Sequence, residues 1–111
     1  MGNVTRMYKE YARIYVEFNA AKEDLSQVGK KYNLSCNETL VLLSAYEHFK
    51  GEFSTVQLKK HVGLVNNSII QVFNGLEGRG YIESVSVEAG KPKVTKLTDV
   101  GIAAAKSLLD D

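Results

Sequence analysis

The apolar and aromatic residues Val4, Tyr8, Tyr11, Tyr15, Phe18, Ala21 (or Lys22), Leu25, Val28 and Tyr32 recur at steps of three and four through the first third of the chain. That spacing places them on one stripe of a helix with about 3.6 residues per turn. No proline interrupts the stretch, and the glycine in its body, Gly29, falls near its end. A chain of 111 residues builds one hydrophobic core. It has too little interior to cover so long a stripe, so the tyrosine-rich part is expected to meet a partner helix. Tyr8, Tyr11, Tyr15 and Phe18, joined by Leu108 near the other end of the chain, are the expected dimerisation residues.

The next segments are punctuated by helix-start and helix-stop chemistry. Ser35-Cys36-Asn37-Glu38 reads as a capping box, opening a helix whose inward residues are expected to be Leu40, Leu43, Ala45, Tyr46 and Phe49. Lys50-Gly51 ends it. A second box, Ser54-Thr55-Val56-Gln57, opens a short helix to about His61 with Val56, Leu58 and Val62 as its apolar positions. Gly63 permits a tight turn, and Asn66 is the expected N-cap of a further helix with Ile69, Val72, Phe73 and Leu76 inward. Gly78 and Gly80 stop that helix. Two short helices joined through a glycine make a helix-turn-helix pattern.

From Tyr81 to Val87 the period changes to two, Ala89-Gly90-Lys91-Pro92-Lys93 is turn chemistry, and Val94 to Leu97 returns as a strand. Thr98 caps a last helix from Asp99 to about Leu109. The expected architecture is mainly α with a β-hairpin wing (α+β): a winged helix-turn-helix with a long N-terminal helix. It forms a single domain over residues 1–111, with a dimerisation helix in 1–33, the helix-turn-helix and wing in 34–97 and a C-terminal helix in 98–111.

Charge is distributed to match. Residues 1–53 balance, while Lys59, Lys60, Arg79, Lys91, Lys93 and Lys96 stand against Glu77, Glu83 and Glu88 between 54 and 98. A positive segment in a chain of net charge +1 is what a local phosphate-binding surface needs. With 44% hydrophobic and 24% charged residues the composition is that of a folded globular chain, not a disordered one. The longest unbroken aliphatic run, Leu40 to Leu43, is far short of the ~18 residues of a membrane span. No secretory leader is visible, and the single Cys36 fits a reducing cytoplasm.

Three blocks in this order resemble the MarR/SlyA family of winged-helix transcriptional regulators, including its SarA-like branch. Leu34-Ser35-Cys36-Asn37-Glu38 with Leu40 and Leu42 is similar to the family's opening of the helix before the helix-turn-helix. Leu76-Glu77-Gly78-Arg79-Gly80-Tyr81-Ile82 is similar to its join between recognition helix and wing, and Leu97-Thr98-Asp99-Val100-Gly101 to its start of the helix after the wing. The resemblance covers Leu34 to Gly101. It implies a DNA-binding regulator that works as a homodimer, with no cofactor. Two features depart from the family. The stretch Glu88-Ala89-Gly90-Lys91-Pro92-Lys93 lacks the arginine that the family places in the minor groove, and the sequence stops where longer members continue into further dimerisation helices.

The residues then take expected roles. Asn67, Ser68, Gln71 and Asn74 lie opposite the inward stripe of the recognition helix, and amides match the N6 and N7 of adenine, so an A·T-rich pseudo-palindromic site is expected. Ser54, Thr55, Lys59, Lys60, Arg79, Lys91 and Lys93 are the expected phosphate contacts. The rival reading is a winged helix that contacts protein in a phage, plasmid or secretion-type assembly, since a fold does not fix a function. Nothing points to an enzyme: there is no phosphate-cradling glycine loop and no HExxH, and His48, His61 and Cys36 lack carboxylates at metal-ligand spacing. Cys36, in a first helical turn, is a candidate redox sensor, with a small buried hydrophobe as the alternative. The family resemblance also allows a small-molecule cleft near Tyr15, Phe18 and Tyr46.

Overall fold

The structure is a computed structural model that describes residues 2–85 and 94–110. Residues 86–93, which include the end of the expected first wing strand and the expected turn with Lys91 and Lys93, lie outside the described residues, as do the side chains before Tyr8, Val4 among them. Five helices and three strands follow in the order α1 (Gly2–Gly29), α2 (Cys36–Glu47), β1 (Glu52–Ser54), α3 (Thr55–Val62), α4 (Asn66–Gly78), β2 (Ile82–Val85), β3 (Val94–Leu97) and α5 (Asp99–Leu109). A single 3₁₀ turn, Lys30–Tyr32, closes α1.

α2 is the central element, packed against α1, α3, α4 and α5. Being covered from several sides, it has no single apolar face, and its buried residues are Thr39, Val41, Leu42, Ser44 and Ala45. The expected inward set was therefore partly misplaced: of its members only Ala45 is fully buried, while Leu40, Leu43, Tyr46 and Phe49 are half-buried around the rim. The Thr39 hydroxyl, at 0% exposure, donates to the Ser35 carbonyl at 2.8 Å, so its burial leaves no polar group unmatched. Both capping boxes form as the sequence suggests, Ser35 with Glu38 and Ser54 with Gln57.

Around α2, the core gathers Phe53 from β1, Leu58 from α3, Ile69, Val72 and Leu76 from α4, Ile82 and Leu97 from the sheet, and Ala104, Ala105 and Leu108 from α5. Leu108 is thus 4% exposed within its own chain, which corrects its assignment to a dimer surface; the exposed neighbour is Leu109. A third strand was not anticipated. β1 is three residues long, too short to show a period, and it pairs antiparallel with β3 to give the order β1-β3-β2. Phe53 lies opposite Thr95, and Ile82 opposite Leu97, all four buried, while Lys96 faces out and meets Glu83 at 3.3 Å.

The last helix is tied to the end of α4 through Thr98. Its hydroxyl accepts from the Gly101 amide at 3.0 Å and donates to the Gly80 carbonyl at 2.5 Å, while its own amide donates to the Tyr81 carbonyl. Thr98→Ala removes both hydroxyl bonds and is expected to cost about 1.5 kcal/mol in urea unfolding, with Thr98→Ser keeping most of that stability. Equal midpoints for the alanine variant and the parent would contradict this role.

Candidate nucleic-acid interface

α3 and α4 are joined by Gly63-Leu64-Val65. Gly63 sits at φ 68°, in the left-handed region, where it closes α3 by donating its amide to the Lys59 carbonyl. α4 then starts at Asn66, but its N-cap is Val65, with no side-chain cap bond. Asn66 instead uses its side-chain oxygen to accept from the Lys59 ammonium, stitching α4 to α3 across the turn. The expected cap is corrected: one residue of displacement turns the Asn66 side chain from its own helix to the neighbouring one.

The buried stripe of α4 is Ile69, Val72 and Leu76, with Phe73 half-buried beside it. On the far side Asn67, Gln71 and Asn74 are all exposed, at i, i+4 and i+7, and so share one face. Ser68 is turned aside and half-buried, lining a cleft with Ser35, Asn37 and Glu38 of the α2 start. Gly75 explains how α2 and α4 come so close, since a Cβ there would overlap the Glu38 carboxylate.

Glu38 and Arg79 form the joint beneath this face. One Glu38 oxygen accepts from the Ser35 amide at 2.9 Å, and the other pairs with the Arg79 Nε at 3.5 Å. The Arg79 guanidinium also donates to the Asn33 carbonyl at 2.9 Å and the Tyr32 carbonyl at 3.5 Å. Arg79 thus fastens the end of α4 to the α1–α2 connection. Each guanidinium nitrogen has one partner within the chain, and the side chain is still 33% exposed. Lys60 is exposed, Lys59 is half-buried against Asn66, and Thr55 is half-buried at the start of α3. The Ser54 amide donates to the Gln57 side chain and its hydroxyl accepts from the Gln57 amide, so one of the donors expected for phosphate, the Ser54 amide, is already used.

α1 leaves the body of the molecule. Tyr8 (72% exposed), Tyr15 (67%) and Phe18 (55%) are open, as are Tyr11, Ile14, Val16 and Val28. Leu25 and Gly29 are the positions at which the helix sinks into the fold. Lys22 lies over the Phe18 ring at 5.4 Å, and Arg13 pairs with Glu10 at 3.0 Å, contacts that stay within the helix and cover little of the stripe.

The expected grouping of Tyr15, Phe18 and Tyr46 does not form. Phe18 lines a cleft of ≈ 230 Å³ with Leu25, Cys36, Leu40, Val62 and Leu64, whereas Tyr46 lines another with Glu47, Lys50, Gly51 and Ile102. Cys36 is half-buried in the first of these. His48 and His61 stack on each other at 4.0 Å between centroids, with Phe49 edge-on to both. Among the described residues, no group of three or more His, Cys, Asp or Glu is placed to hold a metal ion.

A helix-turn-helix whose second helix shows an open polar face, followed by an antiparallel sheet and a packing helix, defines a winged helix-turn-helix protein. The solved structures place that fold among those of the MarR-family regulators. Reduced AbfR bound to DNA matches with a TM-score of 0.81 at 16% identity, over 99% of this chain and 81% of the other. A MarR family regulator from Neisseria meningitidis matches at 0.79 and 22% identity, over 95% and 70%. A mutant MarR from E. coli complexed with operator DNA matches at 0.78 and 17% identity, over 95% and 74%. No protein-family model matches the sequence, and neither does any curated protein.

Proposed function

We propose that this chain is a DNA-binding transcriptional regulator of the MarR type, acting in the cytoplasm as a homodimer on an A·T-rich pseudo-palindromic site. The observation that carries the reading is the exposed Asn67-Gln71-Asn74 face of α4, set on a fold whose solved counterparts include proteins bound to DNA. Each amide offers a donor and an acceptor, the pair that adenine presents in the major groove. Thr55 and Lys60 on α3, with Lys91 and Lys93 of the expected wing turn, supply the phosphate contacts. The α1 stripe pairs two copies so that two recognition helices can address successive half-sites, about one helical turn apart.

The test is a gel-shift titration with A·T-rich duplex at two salt concentrations. Two protomers making three to five phosphate contacts each should lose roughly 10³-fold or more in affinity between 50 and 200 mM salt. A flat salt dependence, or no shift at either concentration, would sink the reading. The exposed Val56 and Val65 on the helix-turn-helix favour, as a second reading, a winged helix that docks on protein. The same titration separates the two.

A further inference from the structure

We infer that Ile70 reads thymine, through contact with the 5-methyl group in the major groove; this rests on the DNA-binding reading above. Ile70 is 57% exposed on α4, although the helix has a well-filled inward stripe of its own. Its neighbours one turn away on the same surface are Asn67 and Asn74, at i−3 and i+4. It also lines a groove together with Asn74 and Phe73 of α4, Thr55 of α3, and Ile82 and Thr95 of the sheet. Ile70 therefore stands between the amides that face base edges and the start of α3 that faces a phosphate. The thymine methyl occupies the corresponding position in DNA, at the major-groove edge of the base beside its own strand's backbone. It is the one apolar feature that base pairs display in that groove.

The helix gains nothing else from this residue. A β-branched side chain at an exposed helical position is a poorer helix former than alanine. Among the described residues none covers it fully, and an amide on either side would make a purely hydrophobic docking face discontinuous. An isoleucine beside two asparagines matches the two faces of one A·T pair: amide to adenine, methyl to methyl.

The experiment starts with sequences selected by the full chain from a random duplex pool. Each thymine is then replaced in turn by deoxyuridine, which removes the methyl and leaves every hydrogen-bonding group in place. At one thymine per half-site the replacement should weaken binding about four-fold, the effect of uncovering one methyl-sized group. In Ile70→Ala, whose fold is checked by circular dichroism, the thymine-to-uracil ratio at that position should fall to about one. Indifference to uracil at every position, or an unchanged ratio in the variant, would overturn this inference and leave the DNA-binding reading standing. Recovery of no preferred sequence would overturn both, and would hand Ile70 to a protein-binding face.

Discussion

Gly101→Ala should destabilise the protein by about 2 kcal/mol or more, although alanine is the better helix former. Gly101 lies in the first turns of α5 and is buried. Taken alone, the helix propensity scale favours the alanine by about 1 kcal/mol. The opposing term is steric: a Cβ at this position would overlap the Tyr81 carbonyl oxygen and come within 2.9 Å of its carbon. Neither atom can step aside, because that carbonyl accepts from the Thr98 amide at 3.0 Å and belongs to the chain entering β2. Overpacking against fixed backbone costs roughly 1–3 kcal/mol or more, so the clash wins. Gly78→Ala is the control. Nothing lies within 4 Å of a Cβ there, so it should gain about 0.5 kcal/mol. Urea unfolding of both variants at one protein concentration decides the matter. A Gly101→Ala protein as stable as the parent would mean that α5 does not dock as described.

The second large effect is expected at α1. Tyr15→Glu combined with Phe18→Glu should turn the protein into a monomer at tens of micromolar in sedimentation, and weaken binding to a full site about 10²-fold or more. Both side chains are more than half exposed in the single chain, so the substitution removes no core contact of the protomer. In the proposed dimer, what it removes is the linkage between two recognition helices, and with it the advantage of binding the second half-site intramolecularly. Binding to a duplex carrying one half-site should change little, which separates loss of pairing from loss of the DNA face. A double variant that still sediments as the parent does would relocate the pairing surface, and a monomeric parent would remove it.

How much of this was legible in the sequence depended on how many sides of an element are covered. α4 buries one stripe, and its periodic positions were read correctly from Ile69 to Leu76; α1 is helical as expected, with all of its residues from Tyr8 to Asp24 exposed. α2 is enclosed, so Val41 and Leu42 could not be told from Leu40 and Leu43 by spacing. The capping boxes were readable because they are satisfied within four residues. Long-range ties were not. Nothing in the sequence showed the bonds of Arg79 to Asn33, Tyr32 and Glu38, more than forty residues back, which the fold brings to it. Lys59 and Asn66 found each other in the same way. Ile70 stood in neither the inward stripe nor the set of base contacts, and its exposure is what distinguishes it. The Leu97-Thr98-x-x-Gly101 block was visible as a pattern, and its physics is now specific: a buried side chain, a double-bonded cap, and a gap for a carbonyl.

The way α1 joins the rest of the molecule makes it a lever. Its 28 residues span about 42 Å, and only its last turns and the 3₁₀ turn after them are held by the body. Arg79 grips the far side of that same joint, at the carbonyls of Tyr32 and Asn33. A tilt of about 5° there would carry the free end through roughly 4 Å, on the length given by the helical rise. The base of the lever and the end of α4 are therefore tied at one joint, through the single guanidinium of Arg79.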